Sequence, residues 1–269
     1  MKLRRTIQWG RPSIKTDRLL HLAAAMVAIA LPLSAQWLNV PSPGIPRNAD
    51  GKPNLSAPAP RQADGHPDFS GIWRQADGVK YTVNLAADGV EVPMQPWAAA
   101  LYKHRQDTIS KEDPVGYCGL PGVPQMNAVP YPYKFLHVPG AVVILYEAFA
   151  TFRQIFTDGR ELPKDPNPTW MGYSVGHWDG DTLVVETAGF NDTTWLDSGG
   201  HPHSDALHVT ERFRRRDFGH MDLQITIDDP KAYTKPWSVS YGLRLMPDTE
   251  LLEYVCNENN KDIPHLVGK

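Results

Sequence analysis

Strict alternation of apolar and polar side chains constrains this chain more than any other feature. Over Met221–Asp228, the residues Met221, Leu223, Ile225 and Ile227 face one way and Asp222, Gln224, Thr226 and Asp228 the other. Trp237, Val239, Tyr241, Leu243 and Leu245 repeat the pattern. A period of two belongs to strands, and an apolar face backed by a polar one belongs to an antiparallel sheet wetted on one side. The same reading from Val142 onward gives strands at Val142–Glu147, Thr151–Phe156, Tyr173–Trp178, Asp181–Thr187, Ala206–Arg216, Met221–Asp228, Trp237–Leu245 and Glu250–Cys256. Their connections alternate between short and long. In an antiparallel meander every second connection lies at the same end. The long ones, Thr157–Gly172, Ala188–Asp205 and Asp229–Pro236, are therefore expected to gather at one mouth, where binding residues concentrate.

A run of strands this long curls into a barrel or splits into a sandwich. Because the connections look local, the expected fold is all-β, an antiparallel up-and-down β-barrel. Met94–Ser110 is expected to be a capping helix, with Pro96 in its first turn and Trp97, Ala100, Leu101 and His104 on one face. Tyr81–Leu85 reads as a further strand. Tyr117–Pro139, rich in Pro and Tyr, reads as a segment that wraps the domain. Asp179-Gly180 is the clearest hairpin turn.

The chain starts with a basic stretch containing Lys2, Arg4, Arg5, Arg11, Lys15 and Arg18, then an apolar run, Leu19–Leu33, then Leu33-Ser34-Ala35. That order predicts a cleaved signal peptide over 1–35. The run is short for a bilayer span and is interrupted by His21 and Pro32, so no stable membrane anchor is expected. A Pro-rich linker over 36–66 then leads into a domain over 67–269, placing the protein in the periplasm or outside the cell. The linker repeats itself: Arg47-Asn48-Ala49-Asp50-Gly51-Lys52-Pro53-Asn54-Leu55-Ser56 returns as Arg61-Gln62-Ala63-Asp64-Gly65-His66-Pro67-Asp68-Phe69-Ser70, and Asp-Gly predicts a turn in each copy. Cys118 and Cys256 are the two cysteines; in an exported chain they can pair, or remain as two buried thiols. A formal net charge of −3 gives no electrostatic case for nucleic acid.

The richest chemical cluster lies in and after Ala188–Asp205: Asn191, Asp192, Trp195, Asp197, His201, His203, His208 and Glu211. His-x-His lets two rings share one ion, so His201, His203 and His208 could hold a divalent transition metal. The same histidines could shuttle protons without a metal, or simply bond the loop together. Glu211 follows Leu207 and Val209 on an apolar face, where a carboxyl can act as acid or base. The alternative is that it pairs with an interior arginine such as Arg153. Gly172-Tyr173-Ser174-Val175-Gly176 matches the serine-hydrolase pattern, but no helix follows to make the elbow that exposes the serine. Asp158, Trp170, Tyr173 and Trp195 are candidate ligand contacts at the expected mouth, suited to a polar organic molecule or a sugar.

Several stretches resemble a group of exported bacterial proteins of unassigned function. Among them are Gly65-His66-Pro67-Asp68-Phe69-Ser70-Gly71-Ile72-Trp73, Phe152-Arg153-Gln154-Ile155-Phe156, Gly200-His201-Pro202-His203-Ser204 and Leu207-His208-Val209-Thr210-Glu211-Arg212-Phe213. The resemblance implies export and carries over no catalytic role. Gly71-Ile72-Trp73 is also similar to the early strand of lipocalin-like (calycin) barrels, which implies a cup. The expected function is to enclose a small organic substrate at the long-loop mouth, as a lyase, isomerase or hydrolase. Glu211 and His208 would act as acid and base, with Asp197 orienting a histidine. The rival expectations are a non-catalytic carrier of a small ligand and a carbohydrate-binding module.

Overall fold

The computed structural model describes residues 41–256 and Glu258. The expected signal peptide lies outside the described residues. Nine strands close on themselves: β1 Gly71–Gln75, β2 Tyr133–Val138, β3 Ala141–Tyr146, β4 Thr151–Phe156, β5 Tyr173–Asp179, β6 Thr182–Ala188, β7 His208–Arg215, β8 His220–Asp228 and β9 Trp237–Leu245. Each pairs with its sequence neighbour, and β1 pairs with β9 to complete the barrel. Helices are few and short: α1 Lys80–Val83, α2 Pro96–Asp107 and α3 Gln125–Ala128. Among the described residues no helix is long and apolar enough to cross a membrane.

The alternating stretches fold as their pattern requires. Met221, Leu223, Ile225 and Ile227 on β8, and Trp237, Val239, Tyr241, Leu243 and Leu245 on β9, all point into the core. Around them pack Trp73, Tyr133, Phe135, Ile144, Ile155 and Phe213, each at or near zero exposure.

One pair breaks the expected antiparallel order. β4 and β5 run parallel, with Ile155 beside Ser174 and Phe156 beside Val175. The segment 157–172 therefore leaves the end of the barrel opposite the mouth and climbs its wall before β5 begins. Pro163, Pro166 and Pro168 favour the extended path this demands, and Thr169 bridges Phe190 at the top. The segments 76–132, 189–207 and 229–236 do open at one common end. Two of the three excursions expected there are confined to it, and 76–132 joins them.

Three local expectations are corrected. Residues 80–83 form α1 rather than a strand. Tyr133–Val138, within the stretch read as a wrapping segment, is β2. Glu250–Cys256 is not a strand, because β1 already pairs with β9 and no free edge remains for it. Helix α2 also presents a different face: Ala98 is buried and Leu101, Tyr102 and Arg105 are half-buried, while Trp97 and His104 are exposed.

The repeated linker motif folds twice into the same turn. Asn48 N donates to Lys52 O at 2.9 Å in the first copy, and Gln62 N to His66 O at 2.8 Å in the second. Arg47 and Arg61 each donate to the carbonyl of their own turn glycine, Gly51 and Gly65. Each also forks onto an aspartate at the barrel end opposite the mouth: Arg47 onto Asp248 and Arg61 onto Asp181. The repeat thus closes that end, with Phe69 buried from the second copy and Leu55 against Gly219 from the first. Cys118 and Cys256 form a disulfide with a Cα–Cα distance of 5.7 Å, tying the segment before β2 to the chain beyond β9.

Candidate functional site

The mouth is built where loop 189–207 folds down between α2 and the tops of β6–β9. Asp197 organises it. Its fully buried carboxylate accepts from the backbone of Leu85 at 2.7 Å, Gly200 at 2.9 Å and His201 at 3.1 Å. It also accepts from His201 Nδ1 at 2.5 Å. An ionised carboxylate only accepts, so His201 holds its proton on Nδ1 and leaves Nε2 as its basic nitrogen. Among the described residues nothing hydrogen-bonds that Nε2. The imidazole is stacked on Tyr102, with ring centroids 4.3 Å apart, and lies 5.8 Å from Trp237.

Beside this dyad stands a cation with no ion pair among the described residues. Arg105 donates to Gly200 O at 3.0 Å and lies 3.9 Å over the Trp195 ring. Burial pushes its pKa down to about 10. Gly200 has φ +101° and would bring a Cβ to 2.8 Å from the Arg105 side chain, so a glycine is needed there. An open groove of about 490 Å³ meets the site at Arg105 and is lined by Trp97, Leu101, Asp192, Thr194 and His203 among others, with His201 buried behind it. Asp113, at the head of the short 3-10 turn Pro114–Tyr117, belongs to the same end, and burial raises its pKa.

His203 is a different kind of histidine. Its Nδ1 donates to Ser204 O at 2.9 Å, so its Nε2 accepts from Thr194 Oγ1 at 2.7 Å. Burial lowers its pKa, and both nitrogens are used. His208 sits on the outer face of β7, half-buried, 3.9 Å from Glu186. The three histidines therefore do not converge, and among the described residues no group of three His, Cys, Asp or Glu is placed to hold a metal ion.

Glu211 lies inside the barrel, below the mouth, and the pairing alternative describes it. Its Oε2 accepts from Arg153 at 2.5 Å and its Oε1 from Asn127 Nδ2 at 2.5 Å. Arg153 also donates to Ser174 Oγ and Thr187 Oγ1. The hydroxyl of Tyr146 donates to Asn127 Oδ1 at 2.7 Å. Asn127 reaches in from α3, all four of whose residues are buried in the barrel mouth. Both oxygens of Glu211 are thus partnered, by Arg153 and by Asn127. Ser174, the serine of the hydrolase-like pattern, points into the same interior and continues along β5 without an elbow.

The remaining expected contacts fall elsewhere. Asp158 pairs with Arg160 and packs against Gly140, at the end opposite the mouth. Tyr173 alternates with interior Ser174 and so faces outward, stacked on Phe156. Trp170 is exposed, and Trp195 is buried beneath Arg105. Asp197, His201 and Trp195 are legible in the sequence as a loop cluster, whereas Tyr102 and Arg105 are not. Their i, i+3 spacing on α2 is visible, but which helical face meets the loop is not. The chain matches no family model, and comparison with curated proteins and with solved structures returns no match.

Proposed function

We propose that this protein is an acid–base enzyme acting on a small polar organic molecule at the mouth of a lipocalin-like cup. His201 is the proton-transfer group, Asp197 its orienting partner, and Arg105 the contact for an anionic or carbonyl oxygen. One observation carries the reading: a buried carboxylate with three backbone donors holds an imidazole by Nδ1, which leaves Nε2 free of any hydrogen bond among the described residues. A histidine that only tied the loop together would use both nitrogens, as His203 does. The reaction class that suits one such base beside one cation is proton abstraction or hydrolysis at a polarised carbonyl. The Cys118–Cys256 disulfide supports placement in an oxidising compartment, the periplasm or beyond.

The test is turnover of a panel of small esters and hydroxy acids by the full chain and three variants. His201→Gln is expected to lower kcat by roughly 100-fold or more, and Arg105→Ala chiefly to raise KM. His208→Ala should leave both unchanged. Full turnover in a folded His201→Gln protein contradicts the reading. Saturable binding without turnover of any panel member would favour the carrier instead.

A further inference from the structure

Below the mouth, the barrel carries a belt of polar side chains that the proposed chemistry does not use. Strand register brings Tyr133, Tyr146, Arg153, Ser174, Thr187, Glu211 and Tyr241 to one level of the interior, through the pairings β2·β3, β3·β4, β4·β5, β5·β6, β6·β7, β7·β8 and β8·β9. The hydrogen bonds of Glu211, Asn127, Arg153, Ser174 and Thr187 join part of that belt into a network. Three of its polar atoms nevertheless have no partner: the hydroxyls of Tyr133 and Tyr241 and Nη1 of Arg153. Trp237 Nε1, toward the roof, is a fourth. All four are buried, and a buried donor without an acceptor is a substantial penalty in a folded protein.

We infer that this belt is a second, interior binding site for a small uncharged molecule rich in hydrogen-bond acceptors, such as a lactone or ketone, held by Tyr133, Tyr241 and Arg153. The unpartnered atoms fix the chemistry: Arg153 Nη1 and Trp237 Nε1 can only donate, and each phenol can donate one proton. The charge balance fixes the rest. Arg153 and Glu211 form a pair at 2.5 Å, and burial holds the phenols of Tyr133 and Tyr241 protonated by pushing their pKa values well up. The belt is therefore already neutral, and an anion there would add an uncompensated buried charge. Aromatic faces surround the belt, since Tyr133 packs against both Phe135 and Tyr146. They suit a flat carbonyl compound. This inference does not depend on His201.

The experiment follows thermal unfolding of the full chain with γ-butyrolactone as the uncharged probe and acetate as the charged one. The lactone is expected to raise Tm in a saturable way in wild type and His201→Gln alike, and acetate is expected not to. Tyr133→Phe and Tyr241→Phe each remove one oxygen and keep the ring. Each should leave the probe-free Tm unchanged or higher, and weaken lactone binding up to about tenfold. Saturation-transfer NMR on wild type provides the arm that needs no variant, with transfer expected from tyrosine ring protons to the lactone. The inference is overturned if the lactone neither shifts Tm nor receives saturation at roughly 100 mM. A shift that survives in the double Phe variant, or an equal response to acetate, would overturn it too. So would a loss of probe-free stability in the Phe variants, which would show the hydroxyls to be satisfied by internal water alone.

Discussion

Four buried or half-buried side chains show how position decides what a titratable group does here. His137 accepts from Phe69 N through Nε2 at 2.9 Å, and His203 uses both nitrogens. Burial lowers the pKa of each below the ordinary 6.5. The native state then binds fewer protons than the unfolded chain as pH falls through 6.5. The stability due to both rings is thus complete above about pH 6.5 and is lost progressively below it. Urea midpoints should fall between about pH 6.5 and pH 5, and the drop should shrink in His203→Gln, whose amide does not titrate. A midpoint that stays flat over this range would contradict that assignment. Glu211 is predicted to behave as half of a pair. Glu211→Ala leaves Arg153 charged and buried, and should cost about 3–5 kcal/mol in urea unfolding. Replacing Arg153 and Glu211 together with Met and Leu should recover most of that loss. A single loss as small as that of an exposed pair would mean that water reaches the pair inside the barrel.

At the scale of elements, period-two patterning located β3 through β9 because each has one face in the core. β2 has the same pattern, with Tyr133 and Phe135 buried. It was hidden by Pro130, Pro132 and Pro139 on either side, which read as a segment unable to pair. Short turns such as Asp179-Gly180 make the direction of their strands legible, and every pairing but β4·β5 is antiparallel. A long connection such as 157–172 does not say at which end it stops, so the parallel β4·β5 pair is not legible in the sequence. Glu250–Cys256 shows the opposite failure, a strand-like composition that meets a sheet with no edge left. The candidate site was half legible, since its loop residues cluster in sequence while Tyr102 and Arg105 come from a helix about a hundred residues earlier. The linker repeat was legible as a repeat, but its purpose was not. Arg47–Asp248 and Arg61–Asp181 are equivalent clasps, and a double-mutant cycle on Arg61→Ala and Asp181→Ala should show coupling rather than additivity. Additive losses would mean that the fork contributes no mutual stabilisation.

Across the whole molecule, the barrel is closed at one end by the repeated turns and at the other by α3 and loop 189–207. The disulfide holds the segment leading into α3 to the chain beyond β9. It bridges a sequence separation of 138 residues, for which chain entropy predicts a stabilisation of about 5 kcal/mol. Cys118→Ser with Cys256→Ser should lower the urea midpoint accordingly, and an unchanged midpoint would show that the tether is redundant. The proposed chemistry rests above all on His201 being a base of fixed tautomer at the mouth. Long-range proton–nitrogen NMR of the imidazoles in the full chain measures this directly. The predicted result is a His201 whose neutral ring carries its proton on Nδ1, with a strongly deshielded proton shared with Asp197 and lost in Asp197→Asn. A His201 ring protonated on Nε2, or one averaging between tautomers, would contradict it.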